Sequence, residues 1–154
     1  MNELDDIAKK GGEKMPYLKT YNLFISHAWK YGGEYNRLVN MLNNAPYFRW
    51  RNYSCPEHDP AVDPDSEAGK RKLIQELRNQ IRPVNCVIIL SGMYVVYSYW
   101  IQKEINIAVE YSKPIVGVRP WGAQRVPIAV QQVADEIVGW NTNSIVDAIR
   151  RHSI

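Results

Sequence analysis

The chain of 154 residues contains only two cysteines, Cys55 and Cys86. Their number and spacing exclude a disulfide framework, and we expect both to be reduced thiols. The three histidines, His27, His58 and His152, lie far apart and have no cysteine partners at zinc-finger spacing. We therefore expect no metal centre.

Long hydrophobic runs are also absent. No apolar stretch approaches the roughly 20 residues needed to cross a bilayer, and the first residues lack the apolar segment of a secretory signal. The net charge is only +3, and no block of lysine and arginine suggests nucleic-acid binding. We expect a cytoplasmic protein that engages neither a membrane nor nucleic acid. Its length suits one domain with a hydrophobic core.

The chain lacks the motifs of two protein classes that act on phosphate, the P-loop ATPases and the phospho-acceptor receivers. The glycine pairs at residues 11–12 and 32–33 have neither the spacing nor the Gly-Lys-Ser/Thr ending of a P-loop. A phospho-acceptor receiver needs acidic residues after its first strand and an aspartate after its third. This chain has Ser-His at residues 26–27 and Ser-Gly at residues 91–92 instead. Both chemistries are excluded.

Apolar runs and helical periodicities alternate along most of the chain. Strands are predicted at residues 21–26, 47–53, 85–90, 115–118 and 136–138, and helices at residues 35–44, 70–82, 98–112, 126–133 and 142–151. Such alternation indicates a parallel sheet covered on both faces by helices. We expect a flavodoxin-like, doubly wound α/β fold of about five strands. Residues 1–20 are predicted to be a flexible or partly helical leader, and residues 21–154 the single domain.

Polar and aromatic side chains follow the predicted strands. In a doubly wound sheet, ligands bind at the carboxyl ends of the strands, near the switch in strand order. The candidates at this edge are Ser26, His27 and Trp29 after the first strand, Ser54 after the second, Ser91 after the third, and Arg119 and Trp121 after the fourth. The sequence thus predicts a ligand site there.

The helix predicted at residues 98–112 carries a carboxylate where an apolar residue is expected. At a period of 3.6 residues, Glu104 lies in the middle of the apolar arc, between Trp100 and Ala108. Burying a carboxylate is costly unless it is paired or hydrogen-bonded. Two interpretations remain open. In the first, the helix starts at Ser98 as N-cap, and Glu104, near that start, reaches a rim, a backbone amide or an arginine. In the second, the apolar arc faces a pocket as well as a core, and Glu104 is the functional group of that pocket.

Two chemistries use a carboxylate in such a place. A Ser-His-acid triad could be assembled from Ser26 or Ser91, His27 and Glu104, but the chain lacks a nucleophile elbow. A single carboxylate among aromatic side chains and hydroxyls instead suits cleavage of an N-glycosidic bond, because it stabilises an oxocarbenium-like sugar while the base departs.

Two motifs connect the chain to a known family. Residues 21–27 look like the strand-one box of TIR domains, and residues 90–104 contain Leu-Ser and then the element Ser-x-Trp-x-x-x-Glu. Residues 117–122 and 138–141 look like later boxes. The sequence therefore resembles the TIR domain family, and more closely the bacterial TIR-like branch of Thoeris anti-phage systems (ThsB-like), over nearly all of the chain after the leader.

The resemblance implies a function and a set of site residues. Glu104 would be the catalytic residue for splitting NAD+ at the nicotinamide–ribose bond, with NAD+ as substrate and no cofactor. The product would be cyclised into a signal that activates a separate effector protein, and the chain would form a homo-oligomer. The substrate-binding residues would be Ser91, Phe24, Ser26, His27, Trp29, Trp100, Arg119 and Trp121.

One stretch departs from the family pattern. The loop at residues 52–60 lacks the Arg-Asp…Pro-Gly pattern of animal TIR adaptors, which favours the enzymatic branch. Two alternatives remain. One is a catalytically silent TIR module that works by protein–protein assembly, and the other is an enzyme like the nucleoside deoxyribosyltransferases, which also places a carboxylate near a sugar.

Overall fold

The computed structural model describes residues 18–26, 33–54, 65–122 and 125–154, with only the backbone described at residues 95–97. The strands in these ranges are β1 (Thr20–Ile25), β2 (Arg49–Asn52), β3 (Cys86–Leu90), β4 (Ile115–Val118) and β5 (Glu136–Val138). The helices are α1 (Gly33–Asn44), α2 (Glu67–Ile81), α3 (Ser91–Glu110), α4 (Ile128–Val133) and α5 (Thr142–His152). The predicted leader lies almost entirely outside the described residues.

The strands form one parallel sheet in the order β2-β1-β3-β4-β5. The chain builds outward from β1 to β2, and then returns to the other side of β1 for β3. The direction of winding therefore reverses between β1 and β3. This order confirms the predicted flavodoxin-like fold and puts the expected ligand-binding edge at the carboxyl ends of β1 and β3.

The core lies on both faces of β3. All five residues of β3 have no exposed surface, as its continuous apolar sequence predicts for a central parallel strand. Helix α1 contacts α5, whereas α3 contacts α2 and α4, which is the grouping expected for two helical layers. Leu38 and Leu42 of α1, and Leu73 and Leu77 of α2, are buried against the sheet at helical spacing.

Several element boundaries differ from the prediction, and those of α2 and β2 have clear local causes. Helix α2 begins at Glu67, before the predicted start at residue 70, because Ser66 is its N-cap and accepts a hydrogen bond from the N–H of Gly69 (3.0 Å). Strand β2 is shorter than predicted. Tyr47 has a φ of 57°, which belongs to a turn, and the strand starts only at Arg49.

The start of α3 is the largest difference. The helix follows β3 directly at Ser91, so the prediction of an N-cap at Ser98 is wrong. Leu90 occupies the N-cap position in an extended conformation, without a side-chain cap. Gly92 is a weak helix former, but it lies in the first turn, where tertiary contacts override propensity. Ser98 lies inside the helix and is exposed.

Two residues extend the sheet at its amino end. Asn85 donates its backbone N–H to the carbonyl oxygen of Asn22 (2.7 Å) and accepts the N–H of Asn22 with Oδ1 (2.8 Å). Asp135 does the same with Ile115, donating its N–H (2.7 Å) and accepting with Oδ2 (2.8 Å). Each precedes a strand, and each supplies a side chain where the neighbouring strand would otherwise have an unpaired N–H.

Candidate functional site

A cavity of about 420 Å³ opens at the carboxyl-end edge of the sheet. The described residues that line it are Gly33, Glu34, Arg37, Gly92 and Trp121. They come from α1, which follows β1, from the start of α3, which follows β3, and from the loop after β4. The cavity therefore lies at the switch in strand order, and its volume is in the range of small-molecule sites.

Trp121 forms an aromatic surface at the mouth of this cavity. The guanidinium carbon of Arg37 lies 4.0 Å from the centroid of the Trp121 ring, and Trp140 packs edge-on at 5.8 Å. Trp140 is held in place because its indole N–H donates to the carbonyl oxygen of Arg119 (2.9 Å). Trp121 keeps 54% of its surface exposed. Arg119 is exposed and is not among the described residues that line the cavity.

Glu34 is a carboxylate of this site that the sequence did not reveal. It lies in the first turn of α1, where an acidic residue is an ordinary helix-stabilising feature. In the structure its carboxylate lies against Gly92, and partial burial raises its pKa above the usual value. Glu34 differs from other acidic residues in the first turn of a helix only because α3, which is distant in sequence, lies close to it.

Glu104 is almost completely buried, with 1% of its surface exposed. Its neighbours on the inner face of α3 are Ile101, Ile105 and Ala108, which are buried to the same degree. The helical phase therefore predicted its burial correctly. The alternative in which the helix starts at Ser98 and Glu104 reaches a rim is wrong, because α3 begins at Ser91 and only 1% of the surface of Glu104 is exposed.

Ser91 and Glu104 lie on the same helix but far apart. Ser91 is the first residue of α3, and thirteen residues of a straight α-helix correspond to about 20 Å along its axis. Glu104 is also not among the described residues that line the cavity of about 420 Å³. Ser91 itself has no exposed surface, and its Oγ has no hydrogen-bond partner among the described residues.

The other two serines at this edge hold strands together. Ser26 has no exposed surface; its N–H donates to the carbonyl oxygen of Ile88 (2.9 Å), and its Oγ accepts the N–H of Leu90 (2.9 Å). The Oγ of Ser54 accepts the N–H of Ile25 (2.9 Å). Both hydroxyls satisfy backbone groups at strand ends, where the ladder stops.

The remaining predicted site residues are aromatic or lie outside the described residues. Phe24 has no exposed surface and belongs to the core of β1. Trp100 is half-buried and packs edge-on against Tyr99, with ring centroids 5.1 Å apart. His27 and Trp29 lie outside the described residues. The structure thus places Trp121 at the cavity and Phe24 in the core.

No group of three or more His, Cys, Asp or Glu side chains within the described ranges is arranged to hold a metal ion. Over the same ranges, no helix has the length and apolar character required to cross a bilayer.

Residues 24–125 match the model of a protein family described as Thoeris protein ThsB, TIR-like domain. The chain belongs to this ThsB TIR-like domain family. A search of curated protein sequences found no significant match. Among solved structures, a 3-dehydroquinate dehydratase-like protein from Bifidobacterium longum aligns with 10% identity and a TM-score of 0.42, over 86% of this chain and 94% of that chain. So distant an alignment says nothing about function.

The match to the ThsB TIR-like family covers the described residues that line the cavity at the carboxyl-end edge of the sheet. It also includes Glu104. Strand β5 and helix α5 lie beyond the matched residues, although β5 pairs with β4 in the same sheet. The resemblance to TIR-like proteins inferred from the sequence is therefore confirmed at the level of the family.

Proposed function

We propose that the protein cleaves NAD+ at the bond between nicotinamide and ribose. Support comes from the family to which the chain belongs and from the placement of one carboxylate. The observation that carries the proposal is the burial of Glu104, with 1% of its surface exposed, on the apolar inner face of α3. A buried carboxylate must be paired or hydrogen-bonded to be tolerated, and buried titratable groups cluster at functional sites.

The reaction suits a single carboxylate. The nicotinamide ring of NAD+ is a cation, so the electron pair of the breaking C–N bond leaves with nicotinamide, which departs as a neutral molecule without needing a proton. Positive charge develops on the ribose in an oxocarbenium-like transition state. A carboxylate in a site of low dielectric stabilises that charge.

The ribosyl cation can react in two ways, each of which gives a balanced reaction. Attack by water on the ribose carbon gives ADP-ribose and releases a proton. Attack by a nucleophilic atom of the same ADP-ribosyl group closes a ring and also releases a proton. We propose the cyclic product, which as a diffusible signal would activate a separate effector protein; the family's description as a Thoeris protein supports this role. Self-association into a homo-oligomer belongs to the same proposal.

The test compares the wild-type protein with Glu104→Gln and with Glu110→Gln. Glu110 lies on the same helix and its side chain is 50% exposed, so this control makes the same chemical change at the surface. We expect the rate of nicotinamide release from NAD+, measured by chromatography, to be at least about 100-fold lower in Glu104→Gln than in the wild type. It should be unchanged in Glu110→Gln. Thermal melting of each variant verifies that it is folded.

Equal turnover by the wild type and Glu104→Gln would refute the role of Glu104. A folded wild-type protein that leaves NAD+ intact in every oligomeric fraction would refute the activity itself, and would favour a TIR module that acts by assembly. Base exchange on deoxynucleosides with NAD+ untouched would instead indicate a deoxyribosyltransferase-like enzyme. Mass analysis of the product distinguishes linear from cyclic ADP-ribose.

A further inference from the structure

Glu34 is a second carboxylate that the proposed cleavage of NAD+ does not use. It lines the cavity at the switch in strand order. Its Oε1 atom is buried and has no hydrogen-bond partner among the described residues. Because a buried acceptor without a donor costs stability, a turn of this carboxylate towards hydroxyl donors of a ligand in the cavity would be favourable.

Gly92 provides the space that the carboxylate of Glu34 occupies. A Cβ atom at residue 92 would lie 2.6 Å from Oε2 and 2.9 Å from Oε1 of Glu34. Any side chain there would displace the carboxylate. Burial raises the pKa of Glu34, since partial removal from water disfavours the charged form. Hydrogen bonds donated by hydroxyl groups of a ligand would favour the charged form of Glu34 and lower its pKa again.

The other groups of the cavity narrow the class of ligand. Trp121 is 54% exposed as a residue, and the guanidinium of Arg37 places a positive charge 4.0 Å from the centroid of its ring. An aromatic ring suits a nucleobase, and a guanidinium suits a phosphate. A carboxylate acceptor suits the vicinal hydroxyls of a ribose. Together these three groups match one nucleotide.

A dinucleotide has two riboses, separated by a pyrophosphate. Under the proposed function, the ribose attached to nicotinamide reacts at Glu104, which is not among the described residues lining this cavity. The cavity is therefore available for the adenosine half. We propose that Glu34 binds the 2′- and 3′-hydroxyls of the adenosine ribose and repels a 2′-phosphate, so that the protein selects NAD+ over NADP+. The proposal rests on the proposed function for the identity of the dinucleotide.

Binding of two ligands that lack nicotinamide tests this role without requiring cleavage. Isothermal titration calorimetry would compare ADP-ribose with ADP-ribose 2′-phosphate. We expect the wild type to bind ADP-ribose at least about tenfold more tightly, because a carboxylate and a phosphate repel each other at close range. In Glu34→Gln the ratio should fall to within about threefold, mainly through tighter binding of the 2′-phosphate form.

Two further variants separate this effect from general loss of structure or charge. Glu67→Gln makes the same change in the first turn of α2, at an exposed residue, and should leave the ratio unchanged. Gly92→Ala changes no charge but displaces the carboxylate of Glu34, and should weaken the preference for ADP-ribose.

Several outcomes would overturn the role of Glu34. They are an unchanged ratio in folded Glu34→Gln, a wild type that prefers the 2′-phosphate through Arg37, or a wild type that binds neither ligand. The outcome is independent of the test at Glu104. A protein that releases no nicotinamide but selects ADP-ribose through Glu34 would refute the proposed cleavage and retain the binding site.

Discussion

The polar groups at the two ends of the parallel sheet differ in their hydrogen bonding. At the amino end, Asn85 and Asp135 pair with neighbouring strands through both backbone and side chain. At the carboxyl end, the Oγ of Ser91 and the Oε1 of Glu34 are buried without hydrogen-bond partners among the described residues, and so is the Oδ1 of Asn22 at the amino end. The paired backbone and side chains of Asn85 and Asp135 stabilise the amino end. The two unpartnered groups of the carboxyl end differ in their place, because they lie at the switch in strand order, where ligands bind in such sheets.

Two buried serines at the carboxyl end differ in their hydrogen bonding, because Oγ of Ser26 accepts a hydrogen bond and Oγ of Ser91 has no partner among the described residues. We expect Ser26→Ala to lower the free energy of unfolding by about 1–3 kcal/mol, because it leaves the buried N–H of Leu90 without an acceptor. Ser91→Ala should change it by less than about 0.5 kcal/mol or increase it, since no hydrogen bond among the described residues is lost. Urea denaturation measures both. Equal destabilisation would contradict the contrast between these hydroxyls.

The amino end provides the complementary variant. Asn85→Ala removes the acceptor of the Asn22 N–H and the side-chain donor to the carbonyl oxygen of Ile154 (2.7 Å). We expect a loss of about 1–2 kcal/mol in the free energy of unfolding, smaller than a fully buried group would show, because these groups are partly exposed. Nicotinamide release per folded molecule should be unchanged. A variant that is stable but inactive would show that the two ends are not independent.

The smallest effect is expected at an ion pair of the amino end. Arg151 and His152 hydrogen-bond to Glu136, and chiefly the bond from Arg151 holds the pKa of Glu136 below its usual value. A lowered pKa of a carboxyl contributes stability above its unfolded pKa, and this contribution is lost as the pH falls through the folded pKa.

Glu136→Gln should therefore lower the melting temperature at neutral pH by no more than about 2 °C, because exposed pairs are screened by solvent. The difference between variant and wild type should shrink as the pH falls and disappear once Glu136 is protonated in the folded state as well. Melting curves from neutral to acid pH measure it. A difference that grows towards acid pH would contradict a stabilising role for the charged form of Glu136.

Much of the fold could be predicted because its signals are local. The continuous apolar run of β3 and the helical spacing of α1, α2 and α5 arise from neighbouring residues. The start of α3 could not be predicted, because residue 92 is a glycine, a common helix breaker, and yet lies in the first turn of the helix. The pairing of Asn85 with Asn22 joins residues that are distant in sequence. Local patterns do not register such contacts.

In the candidate site, too, some features follow from local sequence patterns and others depend on tertiary contacts. The sequence by itself determined that Glu104 lies on the apolar face of its helix, because helical phase depends only on spacing. The motifs of the sequence also predicted the family, and the match over residues 24–125 confirms that family. Only the tertiary structure decided that Glu34, Gly92 and Trp121 share one cavity, since the order of the strands brings three separate segments to one edge. Tertiary structure likewise separated Ser91 from Glu104, because one continuous helix fixes the distance between them.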